Sequence, residues 1–321
     1  MKKVIIGIHG LANKPPKDVL QQWWKDAIIE GFKKLNMPVP KFDFELVYWA
    51  DLDYPQPFDA EVSDPNHPLY DKEVYVKSPN KGVKKHKLHI IRKFIIKKLE
   101  TGFEKLYLTD KELAKVVQLT KNTMESKFPD LYAYYYGNCR ARGTLNAKIA
   151  FRNKLYSILK KHKRKEIFLI AHSMGNIISY DTLSFVSKRI PIHTVMSIGS
   201  PLGFAIVFRH ILKEHNLKID DETMASIPDN IFCHWYNLSD IQDDIAINYH
   251  LEKHFASNKW GIAPQDIFVE NDYEINGDKN HHKSFGYLRT PEMTFAIEDF
   301  LTRKPDYFQW WRKKIYIWFK K

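Results

Sequence analysis

Residues 167–178 read IFLIAHSMGNII. Ser173 lies between an apolar run that reads as a buried strand and a second run that reads as a helix. A hydroxyl at a sharp strand-to-helix turn is lifted clear of the sheet. Small residues two positions to either side let strand and helix approach closely. Here those positions are Ala171 and Gly175, so the turn reads A-H-S-M-G where the usual pattern is G-x-S-x-G. Alanine in the first place adds one methyl. The amide of Met174 falls at the helix N-terminus, where it can face a developing oxyanion. The plainer use of such a serine is to cap the helix.

Serine attacks a carbonyl only when a base takes its proton, and a carboxylate must orient that base. With a turn of this kind, the acid and then the histidine follow in chain order, each after a later strand. After IFCHWYN (231–237) comes LSDIQDDIA, with Asp240, Asp243 and Asp244. The loop NGDKNHHKSFGYL then offers His281 and His282 ahead of the final helix. A second oxyanion donor should come from the loop after an early strand, and IHGLAN fits. Gly10 lets the backbone turn, and the amide of Leu11, or of Ala12, faces the serine. An ordinary strand-end turn is the plainer reading of His9-Gly10. Cys139 and Cys233 stand in no CxxC or CxxH spacing, so neither a zinc site nor a redox motif is expected. The scheme calls for no metal or organic cofactor.

These loops need a sheet to hold them. KVIIGI (3–8), FELVYWAD (44–51), IFLIA (167–171), HTVMSIG (193–199), IFCHWYN (231–237) and DIFVE (266–270) read as short strands. PKDVLQQWWKDAIIEGFKKL (16–35), LNAKIAFRNKLYSILKKH (145–162), the run from Gly175, and PEMTFAIEDFL (291–301) read as helices. Strands separated by helices argue for an α/β chain with a mostly parallel sheet. Two more helical patterns, at 84–106 and 110–126, gather with little strand signal near them. Residues 52–145 are therefore expected to form a cap or lid insertion in a single domain spanning 1–321.

HGLA, LIAHSMGNIISYDTL, SIGSPLG, WYNLSDIQDDIA and HHKSFGYL follow one another in the order found in the α/β-hydrolase superfamily, on its lipase and esterase side. The chain resembles that superfamily from residue 3 to about 301, and it is similar to bacterial hydrolases with an HG-x-x-NKPP start. The resemblance implies a mostly parallel central sheet with helices on both faces and a helical cap. It also implies cleavage of a carboxylic ester, of a lipid or acylated molecule, by Ser173 through an acyl-enzyme. The pattern W-x-N-x-x-D-x-x-D-P-V-A maps its second aspartate onto Asp243, with Asp244 in place of proline; Asp240 is the fallback acid. Its histidine, shortly before an aromatic residue and the last helix, falls on His282, with His281 as fallback. In such chains the histidine beside the nucleophile, here His172, is not the base.

The chain has 321 residues, 44% of them hydrophobic, which is enough for a sizeable core and argues against disorder. Its net charge of +12 favours an anionic partner or a lysine-rich solvated surface. Residues 84–108 alternate basic and apolar residues, and 305–321 mix tryptophan, tyrosine and phenylalanine with lysine and arginine. Both patterns suit an anionic membrane surface, and both also suit helices packed on the domain. No nucleic-acid motif is present, so RNA or DNA is not an expected partner. The apolar run at the start is too short for a signal peptide, and no run reaches the roughly 20 residues of a membrane span. A cytoplasmic protein, peripheral on the membrane, is expected. The alternatives to an esterase are a hydrolase-fold binding module without catalysis and a membrane-surface adaptor. The oligomeric state is not written in the sequence.

Overall fold

The computed structural model describes residues 2–79, 125–126, 128–220, 222–246 and 250–304. The helical patterns at 84–106 and 110–124, and the basic-aromatic segment 305–321, lie outside the described residues.

Six strands form one sheet: β1 (Lys3–Ile8), β2 (Phe44–Val47), β3 (Glu166–His172), β4 (Ile192–Ile198), β5 (Ile231–Ser239) and β6 (Pro264–Phe268). Their order is β2-β1-β3-β4-β5-β6, and all five pairings are parallel. The central strands are buried on both faces, which explains their continuous apolar runs. Val4, Ile6 and Ile8 of β1, with Ile167, Leu169 and Ala171 of β3, feed one core. The alternate residues Ile5, Phe168 and Ile170 feed the other.

Helices cover both faces. Phe151, Leu155 and Leu159 of α3 (Ala147–Lys161) pack in the first core, as do Ile177 and Ile178 of α4 (Met174–Asp181) and Ile211 of α5 (Ala205–Glu214). Trp24, Ile28 and Phe32 of α1 (Lys17–Lys34) pack in the second. There they meet α6 (Ser284–Leu288) and Met293, Ile297 and Phe300 of α7 (Pro291–Thr302). Caps set some helix starts. The Asn146 side chain accepts from Ile149 N at 3.1 Å, and the Thr290 hydroxyl accepts from Met293 N at 3.3 Å with Pro291 behind it. Helix α2 (Pro129–Tyr136) lies in the long excursion between β2 and α3.

The sequence-based boundaries mostly fall within a residue or two of these elements. In FELVYWAD the strand stops at Val47, and Ala50–Asp53 turn instead into a short helix. Neither Cys139 nor Cys233 is in a disulfide. Among the described residues no helix is long and apolar enough to cross a membrane.

The chain leaves β1 toward β2, then returns through α3 to β3 on the opposite side of β1. This reversal opens a crevice at the carboxyl ends of β1 and β3, where parallel sheets characteristically bind ligands. Ile8 and Ala171 are register partners, so the loop HGLAN and the turn at Ser173 leave the sheet side by side. A Cβ on Gly175 would stand 2.7 Å from Ile8 O and 2.9 Å from His9 O. Both are backbone atoms, so α4 can start against β1 only because this residue is glycine. Gly175→Ala should therefore lower the unfolding free energy by about 1–3 kcal/mol. Urea denaturation checks this, and an unchanged midpoint would mean that the two segments can part without loss.

Candidate active site

Ser173 sits between β3 and α4 with φ 52° and ψ −126°. This left-handed conformation disfavours a residue with a Cβ, at a cost of about 1–3 kcal/mol, and persists only where surrounding contacts over-determine it. Its amide donates to Ile198 O at 3.1 Å, and its carbonyl accepts from Asn176 N at 2.9 Å. A Cβ on Gly10 would fall 2.7 Å from Ser173 Cβ, so the turn after β1 presses directly on the serine. The hydroxyl makes no helix cap. It meets His282 instead, with Oγ and Nε2 2.9 Å apart.

The other nitrogen of that ring, Nδ1, is 2.9 Å from each oxygen of Asp243. Asp243 is 1% exposed, and its charge is met by several donors. Ile245 N (2.8 Å) and Ala246 N (3.2 Å) donate to Oδ1, and the Tyr287 hydroxyl donates to Oδ2 at 2.7 Å. The same hydroxyl accepts from Asp240 N at 2.9 Å. Burial, and then the negative Asp243, push the Tyr287 phenol well above its ordinary value, so its proton stays on the oxygen.

Asp240 and His281 are placed elsewhere. They pair loosely with each other at 3.4 Å, and Asp240 accepts from Asn271 N at 2.6 Å and from Gln242 N at 2.9 Å. Asn271 uses its side-chain amide to grip the carbonyls of His281 and Lys283, both at 2.8 Å, on either side of His282. Glu73 holds the same loop from the excursion after β2, through Asn280 and through Lys283 at 2.8 Å. His172 donates from Nε2 to His282 O at 2.7 Å. It therefore orients the histidine loop and has its proton committed there. Tyr287, Asn271 and Glu73 carry no local sequence signal that ties them to the serine.

On the oxyanion side, the amides of Leu11 and Met174 donate to no other group among the described residues. Ala12 N donates to Asp130 Oδ2 at 2.7 Å, so this amide, the alternative to Leu11, is already committed. The Lys14 ammonium bonds the carbonyls of Leu11, Ala12 (3.0 Å) and Asn13 (3.1 Å). Burial, with Lys283 nearby, lowers this lysine to about 7. His9 is fixed as the Nδ1-protonated tautomer: Nδ1 donates to Gly10 O at 2.9 Å, while Nε2 accepts from Trp49 N at 3.1 Å.

A separate group, His250, Glu252 and Asp266, brings three potential metal ligands within 4.8 Å of one another. Asp266 there is already bonded by Asn237 Nδ2 and by the Leu251 and Glu252 amides. The group shares no residue with the Ser173 site.

Burial drives both His9 and His172 well below the ordinary histidine value. In the unfolded chain both take up protons near pH 6.5, whereas in the folded protein they stay neutral. The folded state thus binds fewer protons, and their contribution to stability is present above pH 6.5 and lost as pH falls below it. Each contributes a slope of at most about 1.4 kcal/mol per pH unit. Unfolding midpoints measured from pH 6.5 to 5.5 should decline, and His172→Gln should flatten that decline. An unaltered slope in the variant would show that His172 is protonated inside the fold.

In comparison with known proteins, no family model matches the chain and no curated protein matches it.

Proposed function

We propose that the chain is a serine hydrolase of carboxylic esters, built on the α/β-hydrolase plan with residues 52–145 as its cap. One observation carries the reading. A single imidazole, His282, bridges the Ser173 hydroxyl at 2.9 Å and both oxygens of the buried Asp243 carboxylate at 2.9 Å. A helix-capping serine has no need of such a chain.

In the proposed reaction Ser173 Oγ attacks the ester carbonyl as its proton passes to His282 Nε2. Asp243 holds Nδ1–H and stabilises the imidazolium. The Leu11 and Met174 amides receive the oxyanion. His282 then gives its proton to the departing alcohol, leaving an acyl group on Ser173. Water, deprotonated by His282, clears that acyl group and restores the serine. No step calls on a cofactor. The substrate is an acyl or lipid ester. A cytoplasmic, membrane-peripheral location belongs to the same proposal and rests on the basic and aromatic patterns at 84–108 and 305–321.

A fluorophosphonate probe and a series of nitrophenyl esters of rising chain length test the reading. Wild-type protein should be labelled covalently and should turn over. Ser173→Ala should lose labelling and at least about a thousandfold in kcat. Asp243→Asn should lose about as much, because an amide favours the wrong histidine tautomer. Asp240→Asn, which acts only through the loops, should lose less than about tenfold. His282→Ala should likewise be far worse than His281→Ala. A wild-type protein that neither reacts with the probe nor hydrolyses any ester would leave the binding-module reading in its place.

A further inference from the structure

The excursion between β2 and α3 reaches the serine site through an ionic network whose two carboxylates, Asp53 and Asp130, are buried. Asp130, in the first turn of α2, is 1% exposed. Its Oδ2 accepts from Ala12 N at 2.7 Å. Its Oδ1 accepts from the Tyr54 hydroxyl at 2.7 Å and from the Arg140 guanidinium. Arg140 also clasps Asp53, which is 3% exposed, through its own backbone amide at 3.0 Å and Nε at 3.3 Å. The guanidinium lies over the Tyr54 ring at 4.6 Å. Four residues from three separated stretches thus converge on one backbone amide.

That amide belongs to a strained residue. Ala12 has φ 70°, a left-handed conformation that alanine disfavours. Its side chain is exposed and has no packing to hold it there. The loop is gripped from two sides: Asp130 takes the Ala12 N–H, and the Lys14 ammonium takes the carbonyls of residues 11–13. With both grips in place the Leu11–Ala12 peptide cannot rotate, and the peptide before it, which carries the Leu11 N–H, is held at its carbonyl by His9 Nδ1 on Gly10 O at 2.9 Å.

We propose that Asp130, neutralised by Arg140, is a positioning residue that presets the oxyanion loop by holding the Ala12 amide. The inference rests on the serine-hydrolase reading for its catalytic consequence, but not for its structural one. A preset donor stabilises charge only as it develops on the carbonyl oxygen, so its loss lowers kcat and leaves KM nearly unchanged.

Residue-resolved amide hydrogen exchange tests the structural arm in the wild-type protein. The Ala12 amide, although in an exposed turn, should exchange at least about a hundredfold slower than an unstructured amide. Exchange at the unstructured rate would overturn the proposal, whatever the variants do. Asp130→Ala should raise exchange across residues 9–14 and lower kcat on a nitrophenyl ester about 10–100-fold, with KM within about twofold. Asp130→Asn keeps an acceptor for the Ala12 amide and should recover most of that kcat. A rise in KM alone, or an Asn variant as impaired as the Ala variant, would assign Asp130 to general folding. If the wild-type protein shows no esterase activity, the function reading fails, and the exchange measurement still decides the role of Asp130.

Discussion

The site depends on one disfavoured backbone conformation. At Ser173 the chain turns through φ 52°, which takes the side chain out of the sheet and starts α4 in the same step. Nothing intrinsic to serine favours this. It holds because β4 receives the Ser173 amide, Asn176 takes its carbonyl, and β1 presses on both sides of the turn at Gly10 and Gly175. The long apolar strands serve this end. Two cores fix β1 and β3 in register, and the register brings the turns after them into contact.

Asp243 and His282 rest on loops, and loops ordinarily move. Here they are tied to each other before they are tied to the serine. The Tyr287 hydroxyl spans the acid loop, taking the Asp240 amide and giving its proton to Asp243. Asn271 takes the carbonyls on both sides of His282 while its own amide binds Asp240. A donor–acceptor chain therefore runs from the carboxylate loop into the histidine loop without passing through the imidazole. The His282 ring nitrogens hydrogen-bond, among the described residues, to Ser173 and Asp243.

Much of the architecture was legible in the chain. Unbroken apolar runs marked strands buried on both faces, and the spacing of Trp24, Ala27 and Phe32 marked α1. The strand–serine–helix turn stood out because it sets a hydroxyl where a loop needs only a cap. The choice between neighbours came only from the resemblance, which put Asp243 and His282 ahead of Asp240 and His281; the residues alone leave it open. His281 and His282 share a loop, and so do Asp240 and Asp243; what separates them is the direction each side chain takes. That direction is set by Asn271, His172 and Tyr287, whose partners lie tens of residues away. Asp130 lies 118 positions from the amide it holds, and Glu73 lies 210 from Lys283. Helix α2, written PDLYAYYY, lacks an apolar stripe and owes its place to tertiary contacts such as the Tyr134 hydroxyl on Asp181 at 2.6 Å. The stripe of Val207, Phe208, Ile211 and Leu212 in α5 is an ordinary helix signal that a reading led by motifs leaves unassigned.

The excursion after β2 leaves the sheet from its edge strand and rejoins it through α3 at β3, between β1 and β4. In principle such a segment can be exchanged to suit a new substrate. Its described ends nevertheless carry Asp53, Tyr54, Glu73, Asp130 and Arg140, which hold the loops beside Ser173 and His282. Variation at those ends is therefore constrained. A graft that replaced the excursion from end to end would release the loops beside Ser173 and His282. A joint that spares these contacts lies inside the excursion, beyond Ser78 on one side and before Asp130 on the other.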